Sequence, residues 1–320
     1  MIFDLSQYFK KRDNWLSLGL VGTLFLSSIF FTILSPYFFS LNNFLNILSA
    51  MSIKGIIALG LTVVVIAGGI DLSVSSTAAV SGLVCAKLLH DGVNGSAAFG
   101  LALLVALILG SINAMLIVGI RITPIIATLG TLLLFRGIAA VTTSAQNIIV
   151  GANAWATLGR GEMLGVQNIV WMFLLIGVCL HLYMKYSVVG RQIYAIGDNS
   201  EACRTVGIKV GRIRTGCYVM QALLAGLAGI SIVSQTGSAT PLAFSGAELD
   251  IITAVLLGGA SLGGGRGRIS GTALGLLVLG VLGNGMILMG LQVYWQAVMR
   301  GIFLLIAVSL DSFRTGGGYK

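Results

Sequence analysis

The chain reads as long apolar runs separated by short polar breaks. A helix needs roughly 20 mostly apolar residues to cross a bilayer. Ten segments approach that length: approximately 15–35, 46–69, 73–90, 97–120, 124–141, 168–184, 215–234, 248–262, 269–288 and 293–310. The pattern predicts an all-α integral membrane protein with about ten transmembrane helices. The eighth segment is short, so it either tilts little or runs into its flanking loop. No polar linker divides the chain, and residues 1–320 are read as one transmembrane domain. Residues 1–15 are not expected to be a cleaved signal peptide, because the apolar run that follows is long enough to span and no small-residue cleavage site closes it.

Composition agrees with the pattern. Hydrophobic residues make up 57% of the 320 positions and charged residues 9%, against about 25% charged in a soluble domain. The 44 glycines suit a bundle whose helices approach closely in lipid. The net charge of +9 would elsewhere raise nucleic acid as a partner. Here the basic residues flank apolar runs, as cytoplasmic loops do, so no nucleic acid is expected.

Those basic residues also set orientation. Lys10, Lys11 and Arg12 precede the first span and place the N-terminus in the cytoplasm. Alternating from there puts Arg121 inside, then Lys185, Arg191, Arg204, Lys209, Arg212 and Arg214, then Arg266 and Arg268, then Arg314 and Lys320, with both termini cytoplasmic. Only Arg160 falls in an outer loop, while Lys54, Lys87, Arg136 and Arg300 lie within or near the ends of spans. Two connections are long. Residues 142–167 lie outside and include Trp155, Arg160 and Glu162, and residues 185–214 lie inside and are polar and basic.

Chemistry-bearing residues are few. Cys85, Cys179, Cys203 and Cys217 form no CxxC pair, and His90 and His181 are too few for a His-based centre. Neither a disulfide, a metal site nor a cofactor is expected. Arg136 is near the outer end of its span and is expected to snorkel. Arg300 lies deeper, where an ionisable residue is a functional candidate by default. Thr62–Gly69 (TVVVIAGG) resembles Thr253–Ala260 (TAVLLGGA). Both turns fall on one side, unlike an inverted repeat, and the likeness reads as apolar coincidence.

Four constellations stand out. In the inner loop, Asp198 is placed to N-cap a helix from Asn199 to Val206, with Glu201 closing a capping box and Gly207 suited to the C-terminus. Ala202 and Val206 then share a face, and so short a helix needs something to pack on. Spacing leaves open whether that is a soluble partner or the bundle itself. Gly68-Gly69-Ile70-Asp71-Leu72-Ser73 ends one span, and Asp71 or Ser73 can cap the next. It is either an ordinary interfacial cap or a break lining a solute path. Glu248 and Asp250 begin the eighth helix, where its dipole favours carboxylates. They are two residues apart and so form no paired acid–base site. Ser261–Arg268 lacks the Lys-Ser/Thr of a phosphate loop. Glycines 259, 263, 267, 271 and 275 recur every four residues, which on a helix makes a smooth packing face.

Taken together, GGIDLSVSS, ITPIIATLGTLLLFRGIA, YAIGDNSEACRTVGIKV and ELDIITAVLLGGASLGGGRGRISGT, in this order and spacing, resemble the permease subunits of bacterial ABC importers for ribose and related sugars. The resemblance runs from about Pro36 to Leu310. One departure is Ser75-Ser76, where many relatives have Gly-Ser. It implies half of a membrane dimer, homo- or heterodimeric, with the solute path between the halves. It also implies a cytoplasmic ABC ATPase that hydrolyses the ATP, a periplasmic sugar-binding protein, and a place in the bacterial inner membrane among its lipids. Gly197, Asp198, Asn199, Ser200, Glu201 and Ala202, with Val206 and Gly207, match the family's ATPase-coupling region. Asp71, Ser73, Glu248, Asp250 and Arg300 are the candidates for the translocation path. An ion-coupled secondary transporter would need a carboxylate at mid-membrane, for which Asp71 is the sole candidate, and a channel would need no docking loop.

The charge alternation gives a direct test. Single cysteines introduced within 142–167 should react with an impermeant thiol reagent on intact cells, and those within 190–210 should not. The reverse labelling would overturn the orientation.

Overall fold

A computed structural model describes residues 5–150 and 156–315. Its helices are α1 (Leu5–Leu34), α2 (Leu41–Ile66), α3 (Val74–His90), α4 (Gly95–Ala114, ending in a π turn over Met115–Gly119), α5 (Pro124–Thr142), α6 (Ala156–Arg160), α7 (Asn168–Tyr186), α8 (Val188–Asp198), α9 (Ser200–Thr205), α10 (Val210–Thr236), α11 (Ala247–Leu257), α12 (Ile269–Leu288) and α13 (Val293–Thr315). Every predicted apolar run holds a helix, with shifted ends. α2 starts at Leu41 because Ser40 caps it, its hydroxyl accepting from Asn43 N at 3.3 Å. The Gly237 at the end of α10 takes a left-handed conformation that stops the helix.

By length and apolarity, six of the described helices can cross a membrane: Leu41–Ile66, Gly95–Gly119, Pro124–Thr142, Asn168–Tyr186, Val210–Thr236 and Ile269–Leu288. Three shorter apolar stretches accompany them, Leu18–Leu34, Val74–His90 and Tyr294–Ser309. The eighth segment is not one span-length helix. α11 has 11 residues, which at 1.5 Å per residue is ~16 Å, about half of the ~30 Å hydrocarbon core.

α2 forms the centre. From Gly55 to Ala67 every residue is buried, as befits a helix that is apolar all round. α10 lies against it and carries α3 on another side, and α7, α11 and α12 complete the surround. Lipid tails are as apolar as the helices, so association depends on close contact rather than on water exclusion. Small residues provide it. A Cβ on Gly229 would stand 1.9 Å from the Ala78 carbonyl oxygen, and one on Gly271 would stand 2.0 Å from that of Gly258. The glycine face expected over 259–275 is therefore half right. Gly271 and Gly275 lie in α12 and pack on α11, but Gly259, Gly263 and Gly267 belong to the turn before it. Positive φ at Gly259, Gly264, Gly265 and Gly267 prevents that turn from being helical.

The connections gather at two ends. At one end, Ile148–Ile149 pairs antiparallel with Ser238–Ala239, Arg160 Nε donates to Gln235 O at 2.7 Å, and the Glu162–Met163 and Val166–Gln167 hairpin precedes α7. Trp155 lies outside the described residues. At the other end, Gly265 N donates to Ile66 O at 2.9 Å, Tyr194 Oη donates to Gly267 O at 2.9 Å, and the Thr62 and Thr272 hydroxyls meet at 2.7 Å. The two similar segments, Thr62–Gly69 and Thr253–Ala260, thus end beside one another. The long connection over 185–214 is mostly helical, held by α8 and α9, with Ser187 capping α8 by accepting from Gly190 N at 2.8 Å.

The α11–α12 contact predicts a position-dependent effect. Gly271→Ala should lower the unfolding temperature in detergent, since overpacking against backbone costs about 1–3 kcal/mol. Gly283→Ala on the same helix, where a Cβ meets nothing within 4 Å, should leave the temperature unchanged or raise it slightly.

Candidate functional site

Lys54 lies midway along α2, and its ammonium donates to Asp250 Oδ2 at 2.8 Å. Arg300, on α13, approaches the same oxygen at 3.5 Å. Asp250 stands in the first turn of the half-length α11, so that turn begins at the depth of the middle of α2. The carboxylate is 13% exposed, against 32% for Lys54 and 37% for Arg300. Asp250 Oδ1 and Glu248 Oε2 are buried and have no hydrogen-bond partner among the described residues. Two cavities meet at this cluster. One, of about 510 Å³, runs from the 235–245 segment to Lys54, Asp250 and Arg300 between α2, α3 and α10. The other, of about 360 Å³, lies between α2, α12 and α13 and shares Ala50, Lys54, Asp250 and Arg300. The charged cluster is the partition between them.

The backbone that leads into α11 is irregular and partly enclosed, so its carbonyls need donors. Arg136 supplies them. Its Nη1 donates to Pro241 O at 2.8 Å and to Ala243 O at 2.7 Å, and its Nη2 stands 3.4 Å from Ser75 Oγ. Arg136 therefore does not snorkel outward as expected. The guanidinium has a better use inside, and Glu248 supplies negative charge nearby.

At the opposite end, α8 and α9 form a compact elbow. Asp198 is the last residue of α8, so the cap falls to Asn199, whose backbone is extended and whose side-chain oxygen accepts from Ala202 N at 2.9 Å. The expected Asp198–Glu201 capping box is not formed, because Asp198 stays helical. Glu201 instead pairs with Arg204 on the surface. α9 is six residues long, Cys203 packs inward with Ile196 and Val210, and Gly207 follows with φ of +82°. Ala202 and Val206 face outward. Gly197 sits where no side chain fits, since a Cβ there would be 1.9 Å from Ile66 O and 2.3 Å from Gly265 N.

Between these regions lies the α2–α3 turn. Asp71 Oδ1 accepts from Ser73 N at 2.9 Å and from Ser73 Oγ at 2.6 Å, and Asn113 Nδ2 donates to Ser73 Oγ at 2.7 Å. Asp71 braces the turn and does not cap the helix itself. Ser73 holds the cap position of α3 but makes no capping bond with its side chain. Burial pushes the Asp71 carboxyl up to about 6, opposed by its bonds to Ser73 and Asn113.

Residues 43–308 match the family described as the permease component of branched-chain amino acid transport systems. The chain belongs to this family. The permease is 39% identical over 310 residues to the ribose import permease of Escherichia coli K12, covering 96% of each chain. It is 42% identical over 290 residues to that of Bacillus subtilis, covering 90% of each. It is 32% identical over 306 residues to an L-arabinose ABC transporter permease of Azospirillum brasilense, covering 94% of this chain and 89% of that one. No solved structure matches it significantly.

The permease brings only some of the expected path residues together. Asp250 and Arg300 meet, with Glu248 close by on the same turn. Asp71 and Ser73 are 2% and 0% exposed and line neither cavity. Asp71 is also not the sole mid-depth carboxylate candidate. Asp250 takes that place, because α11 starts inside the bundle rather than at its edge. Lys54 was missed as a site residue, although a lysine within an apolar run is itself a signal.

Asp71 generates a prediction with a sign. Its carboxyl titrates higher folded than unfolded, so its contribution to stability is full below its unfolded value near 3.9 and is lost as pH rises through about 6. The unfolding temperature should accordingly fall between about pH 4 and 6.5 and level off above that. In Asp71→Asn, which keeps the acceptor for Ser73, that fall should shrink and uptake should persist. Asp71→Ala should lose about 1 kcal/mol, as for other side-chain-to-backbone braces of a helix start. Lost uptake in Asp71→Asn at normal expression would make the charge itself essential.

Proposed function

We propose that this chain is the membrane-spanning subunit of an ABC importer that carries a monosaccharide across the bacterial inner membrane, driven by ATP hydrolysed on a partner. The observation that carries this reading is the nearly end-to-end match to ribose import permeases in two distant bacteria. The arabinose permease, matched over most of its length, widens the solute class to monosaccharides without choosing one.

The remaining assignments complete the reading. Ten segments cross the membrane, α1–α5, α7 and α10–α13, with α11 completed by the irregular backbone before it, and both termini are cytoplasmic. A second permease subunit, identical or related, closes the solute path, and lipid surrounds the pair. A periplasmic sugar-binding protein meets the end that carries the strand pairings. The ABC ATPase meets the other end at the elbow formed by Gly197, Asp198, Asn199, Ser200, Glu201, Ala202, Val206 and Gly207. An exposed Val206, 74% accessible beside Ala202, supports a contact surface there. Asp250, Arg300 and Glu248 belong to the solute path, while Asp71 and Ser73 shape the turn near the ATPase end. Asp250 at mid-depth is the one feature that an ion-coupled secondary transporter would share. Its pairing with two cations argues against ion coupling, because a carrier carboxylate must be free to exchange its ion.

The elbow can be tested directly. Ala202→Glu would bury a charge without a partner in a close-packed contact, at a cost of several kcal/mol. This variant should insert at normal levels, lose the ATPase on mild detergent extraction and lose uptake. Glu201→Gln should do far less, since it removes only an exposed ion pair. Full ATPase retention and uptake in Ala202→Glu would place the contact elsewhere.

A further inference from the structure

The charged partition is unusual in how its valences are left. Asp250 Oδ2 is shared by Lys54 at 2.8 Å and Arg300 at 3.5 Å, while Asp250 Oδ1 is buried and unpartnered. An ammonium has three donors, and Lys54 commits one to Asp250, the only hydrogen bond its side chain makes to a described residue. Polar valences left open in this way are costly inside a membrane. It stands at the floor of a cavity of about 510 Å³, within the 300–1,000 Å³ range typical of small-molecule pockets. The walls add Gln235, Thr236, Ser238, Thr240 and Ser245 to an otherwise apolar lining.

We infer that Lys54 and Asp250 form a solute subsite that takes a vicinal diol of a neutral polyol. This rests on the reading of the chain as a sugar permease. One hydroxyl donates to Asp250 Oδ2, the oxygen 2.8 Å from Lys54 Nζ, and its neighbour's oxygen accepts from Lys54 Nζ. Adjacent hydroxyl oxygens of a sugar lie about as far apart as the ammonium and carboxylate do, at the ordinary spacing of a hydrogen-bonded N–O pair. The diol therefore bridges the pair without separating it. Arg300 stands 3.5 Å from the same Oδ2 and keeps the carboxylate oriented. The charge count selects the ligand class. Two cations around one carboxylate disfavour a cationic solute. An anion would compete with Asp250 for Lys54 and be repelled by the carboxylate. A neutral polyol satisfies both groups, because each hydroxyl both donates and accepts. Being weak and single, such a clamp also lets the solute leave.

The test uses cells lacking their own pentose importers and expressing the permease with its ATPase and binding protein. Uptake of radiolabelled D-ribose, L-arabinose, D-xylose and D-galactose is measured first with the wild type. Transport of none of these would overturn the sugar reading, and the subsite with it. With a transported sugar in hand, the apolar pair Lys54→Met/Asp250→Leu is examined. A buried ion pair replaced by apolar residues is often neutral or stabilising for the fold, so a purely structural pair predicts near-normal uptake. The subsite predicts at least a tenfold loss while the ATPase still co-purifies. The swapped pair Lys54→Asp/Asp250→Lys guards against misfolding of the first variant. It restores the ion pair but exchanges donor and acceptor positions, and uptake should remain at least tenfold reduced. Uptake within twofold of wild type in either variant would reduce the cluster to a structural role.

Discussion

Everything in this structure answers to one constraint: inside a bilayer no water is available to satisfy a polar group, so each must find its partner in the protein. Long helices meet that requirement by themselves. The stretch before α11 does not, and it survives at depth because Arg136 reaches across from α5 to hold the Pro241 and Ala243 carbonyls. With the break secured, α11 can begin midway along α2 rather than at its end. Asp250 can then reach Lys54, and a cavity opens above them. Removing the guanidinium would withdraw the support from three features at once: the break, the charged partition and the floor of the cavity.

A second consequence is that the bundle is organised around contacts between backbones. α2 is buried over its C-terminal half, and its neighbours come near it because glycines stand where side chains would intervene. Such contacts are short-range and discrete, so helices related by them shift as rigid bodies or not at all. That property suits a subunit whose two ends must be mechanically related.

Much of this was legible in the sequence, and the failures share a cause. Apolar runs located the long helices, including the six with the length and apolarity to cross a membrane, since twenty apolar residues have few other fates. The GDNSEA segment marked a short helix, and Gly207 its end. The cap moved from Asp198 to Asn199 because α8, whose existence no apolar run announced, extends one residue further than a capping box allows. The destination of Arg136 was hidden for a different reason. Its partners are carbonyls more than a hundred residues away, and carbonyls carry no side-chain signature. Asp250 was misplaced in depth because hydropathy cannot distinguish a helix that starts at the membrane surface from one that starts halfway through. Lys54 was visible as a charge in an apolar run, yet its pairing depended on that same depth.

The seat of Gly197 has a consequence for sequence change. Its α-carbon touches the end of α2 and the α11–α12 turn together, and any side chain would collide with main-chain atoms of both. Ala202 and Val206, a few residues on, touch nothing that the chain's own packing requires. Mutational tolerance across this one short elbow is therefore sharply uneven. The outward positions are free to drift, and the seat behind them is not, so the face of the elbow can change without disturbing the joint between α2 and the α11–α12 turn.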